Sequence, residues 1–178
     1  MKLFHGTSFD NLKDIRKNGL CIEHGGANWT VSDNYIYFWS PKALEEACGM
    51  EDGDGEREAF ERAFDSARVS LGFSKSCRAV VLEIELDESL LEQVEPDSSC
   101  DNMDGAVRVP TDVPFSAIKK ISVSSDLGSL RGYFLALMEN RPLLARDFTP
   151  FEKKIAKIFK SPEIYPEDIA ELCNWKEV

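Results

Sequence analysis

The sequence predicts an α+β fold with one main core. Two observations favour this class. Short runs of β-favouring residues alternate with segments whose apolar residues recur at helical spacing, and the sequence contains no internal repeat. The chain has 178 residues, of which 43% are hydrophobic and 30% charged. That length and composition suffice for a single domain with a buried core.

The opening of the chain predicts a strand over residues 2–4 that ends at His5-Gly6-Thr7. A helix should follow, capped by Ser8 or Asp10 and closed by Asn18-Gly19. The sequence therefore predicts an imidazole, a glycine and a hydroxyl together at a strand tip. Ligands are commonly held at such positions.

The remaining elements follow from the same patterns. The residues predict strands over 35–40, 78–86, 106–109 and 117–123, helices over 41–47 and 58–71, and an irregular loop over 87–103. Pro41 is expected in the first turn of its helix. Apolar faces after Ser124 predict a helical extension, so we expect a core over 1–123 and an extension over 124–178 that packs on it.

Charge and cysteine content restrict the function. A net charge of -11 disfavours general nucleic-acid binding and suits a basic partner. Five scattered cysteines without a CxxC motif predict free thiols in a reducing compartment. No signal peptide or membrane span is apparent, so we expect a cytoplasmic protein. The acidic segment 51–56 fails as a calcium loop because Arg57 and Ala63 occupy two essential positions, and no metal is expected.

Three segments carry a family resemblance: LFHGTSFDNLKDIRKNGL, IYFWSPKALEEAC and AVRVPTDVPFSAIKKISV. In this order they resemble the ADP-ribosyltransferase superfamily, in the branch with a His–Tyr–Glu-type triad that includes the poly-ADP-ribose polymerases. The resemblance spans residues 2–123 loosely, with long unmatched insertions. It implies a split, mostly antiparallel sheet with NAD in the cleft between its halves and helices at the periphery.

The resemblance also implies roles for the first segment. Cleavage of the glycosidic bond of NAD builds positive charge on the nicotinamide ribose, so a site must hold the ribose, clamp the ring and offer a carboxylate. His5 would hydrogen-bond the adenosine-side ribose. The backbone of Gly6 would bond the nicotinamide amide, and Thr7 would support the loop.

The second segment supplies the aromatic side chain. By resemblance, Tyr37 would stack on the nicotinamide ring and Ser40 would lie near the nicotinamide ribose. Tyr35 is an alternative to Tyr37, because it is two residues away and points to the same face of the strand. Without the resemblance, Tyr37 is simply a core residue of an aromatic strand.

The third segment departs from the family pattern. A strict alignment puts the family's glutamate near Ala106, where no acid stands. Three alternatives remain: Asp104 completes the triad, Asp101 does so from a loop, or the triad is broken and the domain binds NAD without transfer. We favour Asp104, although an aspartate before a glycine is also typical of a turn.

Without the resemblance, His5 would be interpreted as a hydrogen-bonded surface residue.

The function expected from this resemblance is NAD-dependent mono-ADP-ribosyl transfer to a macromolecule, most simply a host protein with a basic surface. In its small size and acidity the chain resembles toxin, effector or phage anti-defence transferases, including anti-CRISPR ones, that act in a host cytoplasm. A same-fold enzyme acting on nucleic acid, by base ADP-ribosylation or RNA 2′-phosphotransfer, is an alternative. A non-catalytic acidic inhibitor of a basic nucleic-acid-binding protein is another.

Overall fold

A computed structural model describes residues 1–25, 34–51, 53–71, 78–97, 104–124 and 175–178. The strands are β1 Lys2–Ser8, β2 Ile36–Trp39, β3 Ala79–Glu85, β4 Glu95–Pro96, β5 Ala106–Val109, β6 Ile118–Val123 and β7 Lys176–Glu177. The helices are α1 Leu12–Asn18, α2 Ile22–Gly25, α3 Pro41–Cys48, α4 Asp54–Leu71 and α5 Glu88–Leu91.

The strands form one sheet of seven in the order β4-β5-β2-β1-β3-β6-β7. Its six pairings are all antiparallel. With helices packed on both faces, this arrangement confirms the α+β class.

The alternation of side chains along β1 divides the core into two layers. Leu3 points to the face on which α1 packs, while Phe4 points to the face covered by α4. On the α4 face, Ala63 and Ala67 are fully buried against the sheet. Small side chains there let α4 lie close to β1, which fixes the position of that strand's centre.

The sheet divides into two halves between β1 and β2. Seven register pairs join β1 to β3, but a single pair, Phe4 with Trp39, joins β1 to β2. Helix α4 bridges the same boundary, because the indole N–H of Trp39 donates to Ser66 Oγ at 3.1 Å and Arg62 Nη1 donates to the carbonyl of Asp104 at 3.0 Å. The halves are therefore held together at one end, and β1 and β2 part beyond Phe4.

Two local predictions hold at helix ends. Gly19 closes α1 with φ +80°, and Pro41 occupies the first turn of α3. The prediction that strand β1 stops before His5 is wrong, because β1 continues through Ser8. Ser8 precedes a 3₁₀ turn, Phe9–Asn11, without a capping hydrogen bond from its side chain.

The irregular loop predicted over 87–103 is wrong in its first part. It contains α5, capped by the Asp87 carboxylate, which accepts from the amide of Leu90 at 3.0 Å, and the edge strand β4. The predicted acidic loop is also shorter, because α4 already begins at Asp54. Most of the predicted helical extension lies outside the described residues, and its last residues form β7 on β6.

Candidate functional site

His5 lies where the two halves of the sheet part. Its Nδ1 is 2.9 Å from the backbone carbonyl oxygen of Tyr37, and its ring contacts that of Phe38 at 5.8 Å between centroids. Because a carbonyl oxygen only accepts, Nδ1 carries the proton and donates. The imidazole thus makes the next link between β1 and β2 after the Phe4–Trp39 pair.

The protonation state of His5 follows from its surroundings. Burial lowers the pKa of the imidazole to about 4, because a charged ring would lose its hydration. The ring is therefore neutral at physiological pH. With Nδ1 donating to Tyr37, Nε2 has no proton and is a hydrogen-bond acceptor.

Gly6 has a packing reason to be glycine. A Cβ at this position would overlap the carbonyl oxygen of Ala63 and lie 2.7 Å from the amide nitrogen of Ala67. The close approach that Gly6 permits is therefore that of α4. A ligand therefore cannot reach Gly6 from the face on which α4 packs.

The backbone of Gly6 points toward that edge. The amide of Phe9 donates to the carbonyl of Arg78 at 3.0 Å, which makes these residues a hydrogen-bonded pair of the β1–β3 ladder. Such pairs alternate along antiparallel strands, so the N–H and C=O of Gly6 point away from β3 and toward β2. The donor and acceptor predicted to bind a carboxamide face the boundary between the halves.

Tyr37 faces the same boundary with its backbone. The amide of Ser40 donates to the carbonyl of Gly105 at 2.9 Å, so alternation turns the N–H and C=O of Tyr37 toward β1. Its side chain, however, shares a face with that of Trp39, whereas the side chain of His5 shares the opposite face with Phe38. The structure brings His5 to the backbone of Tyr37, not to its phenol.

Thr7 and Ser40 have partners within the fold. Thr7 is buried, and its hydroxyl accepts from the side-chain amide of Asn11 at 3.0 Å, which ties β1 to the turn that follows. Ser40 is buried and caps α3, because its hydroxyl accepts from the amide of Ala43 at 3.2 Å. Both side chains therefore stabilise backbone segments that lie next to the boundary between the two halves of the sheet.

Asp104 is not brought near His5 or Tyr37. It is exposed on the turn before β5, and its carbonyl accepts from Arg62. From the register of β1, β2 and β5, Asp104 lies three residues and two strands from His5. These steps amount to ~10 Å along the strands and ~10 Å across them. Asp101 lies outside the described residues.

Comparison with known proteins adds no relative. A scan against protein-family models gives no match, and a search of curated proteins gives none.

Sequence reasoning missed a polar group beside Tyr37. Arg108 is directly opposite Tyr37, and Glu95 is directly opposite Arg108. Arg108 Nε donates to Glu95 Oε1 at 2.7 Å, and the amide of Asp97 donates to the carbonyl of Ala106 at 3.0 Å. The side chains of Glu95, on β4, and Asp97, just after β4, therefore lie on the same face of the sheet as that of Tyr37. The sequence signal was an arginine alternating with valines in AVRV.

Two surface cavities lined by described residues lie elsewhere. One, of about 250 Å³, lies beside Phe60 between α4 and β6, and the other, of about 590 Å³, lies at the end of α1 beside Cys21. Burial raises the pKa of the Cys21 thiol, with the nearby carboxylate of Asp112 adding to the effect. A protonated thiol is a poor nucleophile, so this second cavity has no activated group of the cysteine type.

Metal and membrane sites are addressed by the described residues alone. They include no group of three or more His, Cys, Asp or Glu that could hold a metal ion. A bilayer crossing would need a longer and more apolar helix than any in this part of the chain.

Proposed function

We propose that this chain is an NAD-dependent ADP-ribosyltransferase that modifies a macromolecular target, most simply a protein. The observation that carries the proposal is the hydrogen bond from His5 Nδ1 to the Tyr37 carbonyl at 2.9 Å. It joins the residues of two resembling segments at the place where the sheet divides.

The chemistry of His5 fits a ribose. Its Nε2 is an acceptor because the proton is on Nδ1, and a pKa of about 4 keeps it so at neutral pH. A ribose hydroxyl is the donor that such an acceptor would take. A positively charged imidazole would lack this acceptor.

The backbone of Gly6 fits a carboxamide. A nicotinamide amide offers one acceptor and two donors, and a single residue's N–H and C=O can satisfy both kinds. Both groups of Gly6 point toward β2, and the backbone N–H and C=O of Tyr37 point toward β1, so the two face each other across the boundary. In this proposal the ligand lies along the strand edge, and α4 limits its approach on the other side.

The carboxylate of the proposed site has four candidates. Bond cleavage in NAD develops positive charge on the ribose, which a nearby carboxylate stabilises. Asp104, the acid favoured by resemblance, lies far from His5. Glu95 and Asp97 are the described acids on the face of Tyr37, so they join Asp104 and Asp101 as candidates. NAD binding without transfer is the second candidate function, favoured by the distance of Asp104.

The target is proposed from charge. A chain with a net charge of -11 is attracted to basic surfaces, and ADP-ribosylation would add negative charge and bulk to such a surface. A nucleic-acid substrate would require a basic groove. The third alternative, an acidic inhibitor without catalytic activity, differs from the protein-modifying and the nucleic-acid-modifying enzymes because it needs no NAD.

Incubating the purified chain with labelled NAD and a bacterial lysate tests the proposal. We expect label in macromolecular material that is lost on treatment with protease and retained after nuclease. Label lost to nuclease would support the nucleic-acid enzyme instead. Absence of label, together with absence of NAD binding in calorimetry, would contradict the transferase. Asn substitutions of Asp97, Asp101 and Asp104, and Glu95→Gln, then identify the acid by loss of label.

A further inference from the structure

The cavity between α4 and β6 contains a buried hydroxyl group. Ser122 of β6 lies directly opposite Val81 of β3, so both side chains point to the face of the sheet on which α4 packs. Both line the cavity. Ser122 is only 8% exposed, and no described residue forms a hydrogen bond with its hydroxyl. A buried polar group without a partner in the fold costs free energy and is usually satisfied by water or a ligand.

The side chains around this hydroxyl are apolar and largely aromatic. Phe4 lies beside Val81 on the sheet, and its ring meets that of Phe60 on α4 edge to face, with 6.2 Å between centroids. Phe60 in turn meets Trp175 edge to face at 4.9 Å. A water molecule at Ser122 would find few further partners here, whereas buried waters usually make about three hydrogen bonds. Such a water is readily displaced by a ligand that bonds the hydroxyl and covers the rings.

The rim of the cavity presents no net charge to a ligand. Its lining includes two carboxylates and two cations, and each is already paired with an opposite charge of the fold. The pairs are Glu56 and Glu83 with Lys2, Arg57 with Glu61, and Lys120 with Glu177. An ionic ligand would have to compete with one of these pairs. An uncharged ligand would leave all of them intact, so the lining favours a neutral molecule.

The size of the cavity restricts the ligand further. Its volume is about 250 Å³. A cavity of about 150 Å³ is sufficient for a benzene ring, so there is room here for one ring and a small polar substituent. Aromatic walls favour an aromatic ring, because a further ring can join the edge-to-face contacts of Phe4 and Phe60.

We propose that this cavity binds a small uncharged aromatic molecule whose polar group hydrogen-bonds the Ser122 hydroxyl. Phenol has the required features, namely one ring and one hydroxyl that both donates and accepts. The proposal goes beyond the proposed function and does not depend on it. The cavity lies on the α4 face of the sheet, whereas the side chain of His5 lies on the opposite face.

NMR titration of the full chain with phenol tests this site. In a sample labelled at the valine methyl groups, Val81→Ala identifies the resonances of Val81. These resonances should shift and saturate with a dissociation constant of about 1–10 mM, which is typical of so small a ligand. Benzoate, which has the same ring but a negative charge, should bind at least tenfold more weakly. Val81 resonances that stay fixed at about 50 mM phenol, or benzoate binding as tight as that of phenol, would overturn the proposal.

Ser122→Ala tests the hydrogen bond. Phenol should bind this variant about threefold to tenfold more weakly than the wild type, the usual effect of losing a neutral hydrogen bond. Benzene, which has no polar group, should bind both proteins alike. Ser116→Ala is the matched control, because Ser116 is exposed and does not line the cavity, and it should bind phenol like the wild type. Phenol affinity unchanged in Ser122→Ala, or weakened equally in both variants, would overturn the proposal.

Unfolding of the chain without ligand provides a second readout. A hydroxyl without a partner in the fold adds nothing to stability, so Ser122→Ala should unfold in urea at the same concentration as the wild type or a higher one. A clearly lower midpoint, or failure to fold, would overturn the proposal, because the hydroxyl would then be bonded within the fold. A chain that binds phenol in this way but neither binds nor cleaves NAD retains this site and contradicts the transferase.

Discussion

Replacing Gly6 with alanine is expected to destabilise the folded chain by about 3 kcal/mol or more, a large fraction of the ~5–15 kcal/mol that stabilises a typical domain. The added Cβ would overlap the Ala63 carbonyl oxygen and crowd the Ala67 amide. Both obstacles are backbone atoms of α4, which cannot move aside by a change of rotamer. Relief would require α4 to lift from β1, which would expose the apolar layer between them. Urea unfolding followed by circular dichroism measures the loss.

Gly49→Ala is the control for this substitution. Gly49 has φ +63°, and nothing lies within 4 Å of where its Cβ would be. It should therefore lose only the about 1–2 kcal/mol that a left-handed backbone costs an alanine. A Gly6→Ala protein as stable as Gly49→Ala would show that α4 does not press on β1. The expected result also means that loss of activity in Gly6→Ala would say nothing about a ligand contact.

Acid should destabilise the chain through His5. The folded-state pKa of about 4 lies below the ordinary value of 6.5 because burial disfavours the charged ring. As pH falls through 6.5, the unfolded chain takes up this proton and the folded chain does not. The contribution of His5 is therefore fully present above about pH 6.5 and is lost as pH falls toward 4. From about pH 7.5 to about pH 4.5 it amounts to about 2–3 kcal/mol.

His5→Asn isolates this contribution from that of the many carboxylates. The asparagine side-chain nitrogen can take the place of Nδ1 and donate to the Tyr37 carbonyl, but it does not titrate. Wild type and His5→Asn should thus differ little in unfolding free energy at the higher pH and diverge as pH falls, with the wild type becoming the less stable, because only the wild type loses stability at position 5. Urea unfolding at several pH values measures this difference. A constant difference across the range would mean that His5 titrates alike in both states.

Local signals were sufficient to predict much of the sheet and its helices. The apolar run of β3, the β-favouring residues of β5 and β6 and the Ser40-Pro41 start of α3 were readable because each contains its own pattern. The extension of β1 through Gly6 was not, since glycine disfavours a strand and only the contact with α4 explains it. Strand β4 is two residues long, and pairing with β5 defines it, so sequence alone gave no period to detect.

The candidate site was predictable only in its residue types. The sequence indicated His5 and Tyr37, but their contact through the Tyr37 carbonyl depends on how the two halves of the sheet part. The position of Arg108 depends on register, because only the pairing of β2 with β5 puts it opposite Tyr37. The same register separates Asp104 from His5, which linear spacing along the chain could not reveal.

The central claim is that NAD binds against His5, and histidine NMR tests it directly. The chain has two histidines, His5 and His24, so a sample labelled in histidine gives two imidazole spin systems, and His5→Asn identifies that of His5. On titration with NAD at neutral pH, the Nε2 resonance of His5 should shift and saturate, as expected for an acceptor that gains a ribose hydroxyl. A His5 resonance that stays fixed at millimolar NAD would contradict the account.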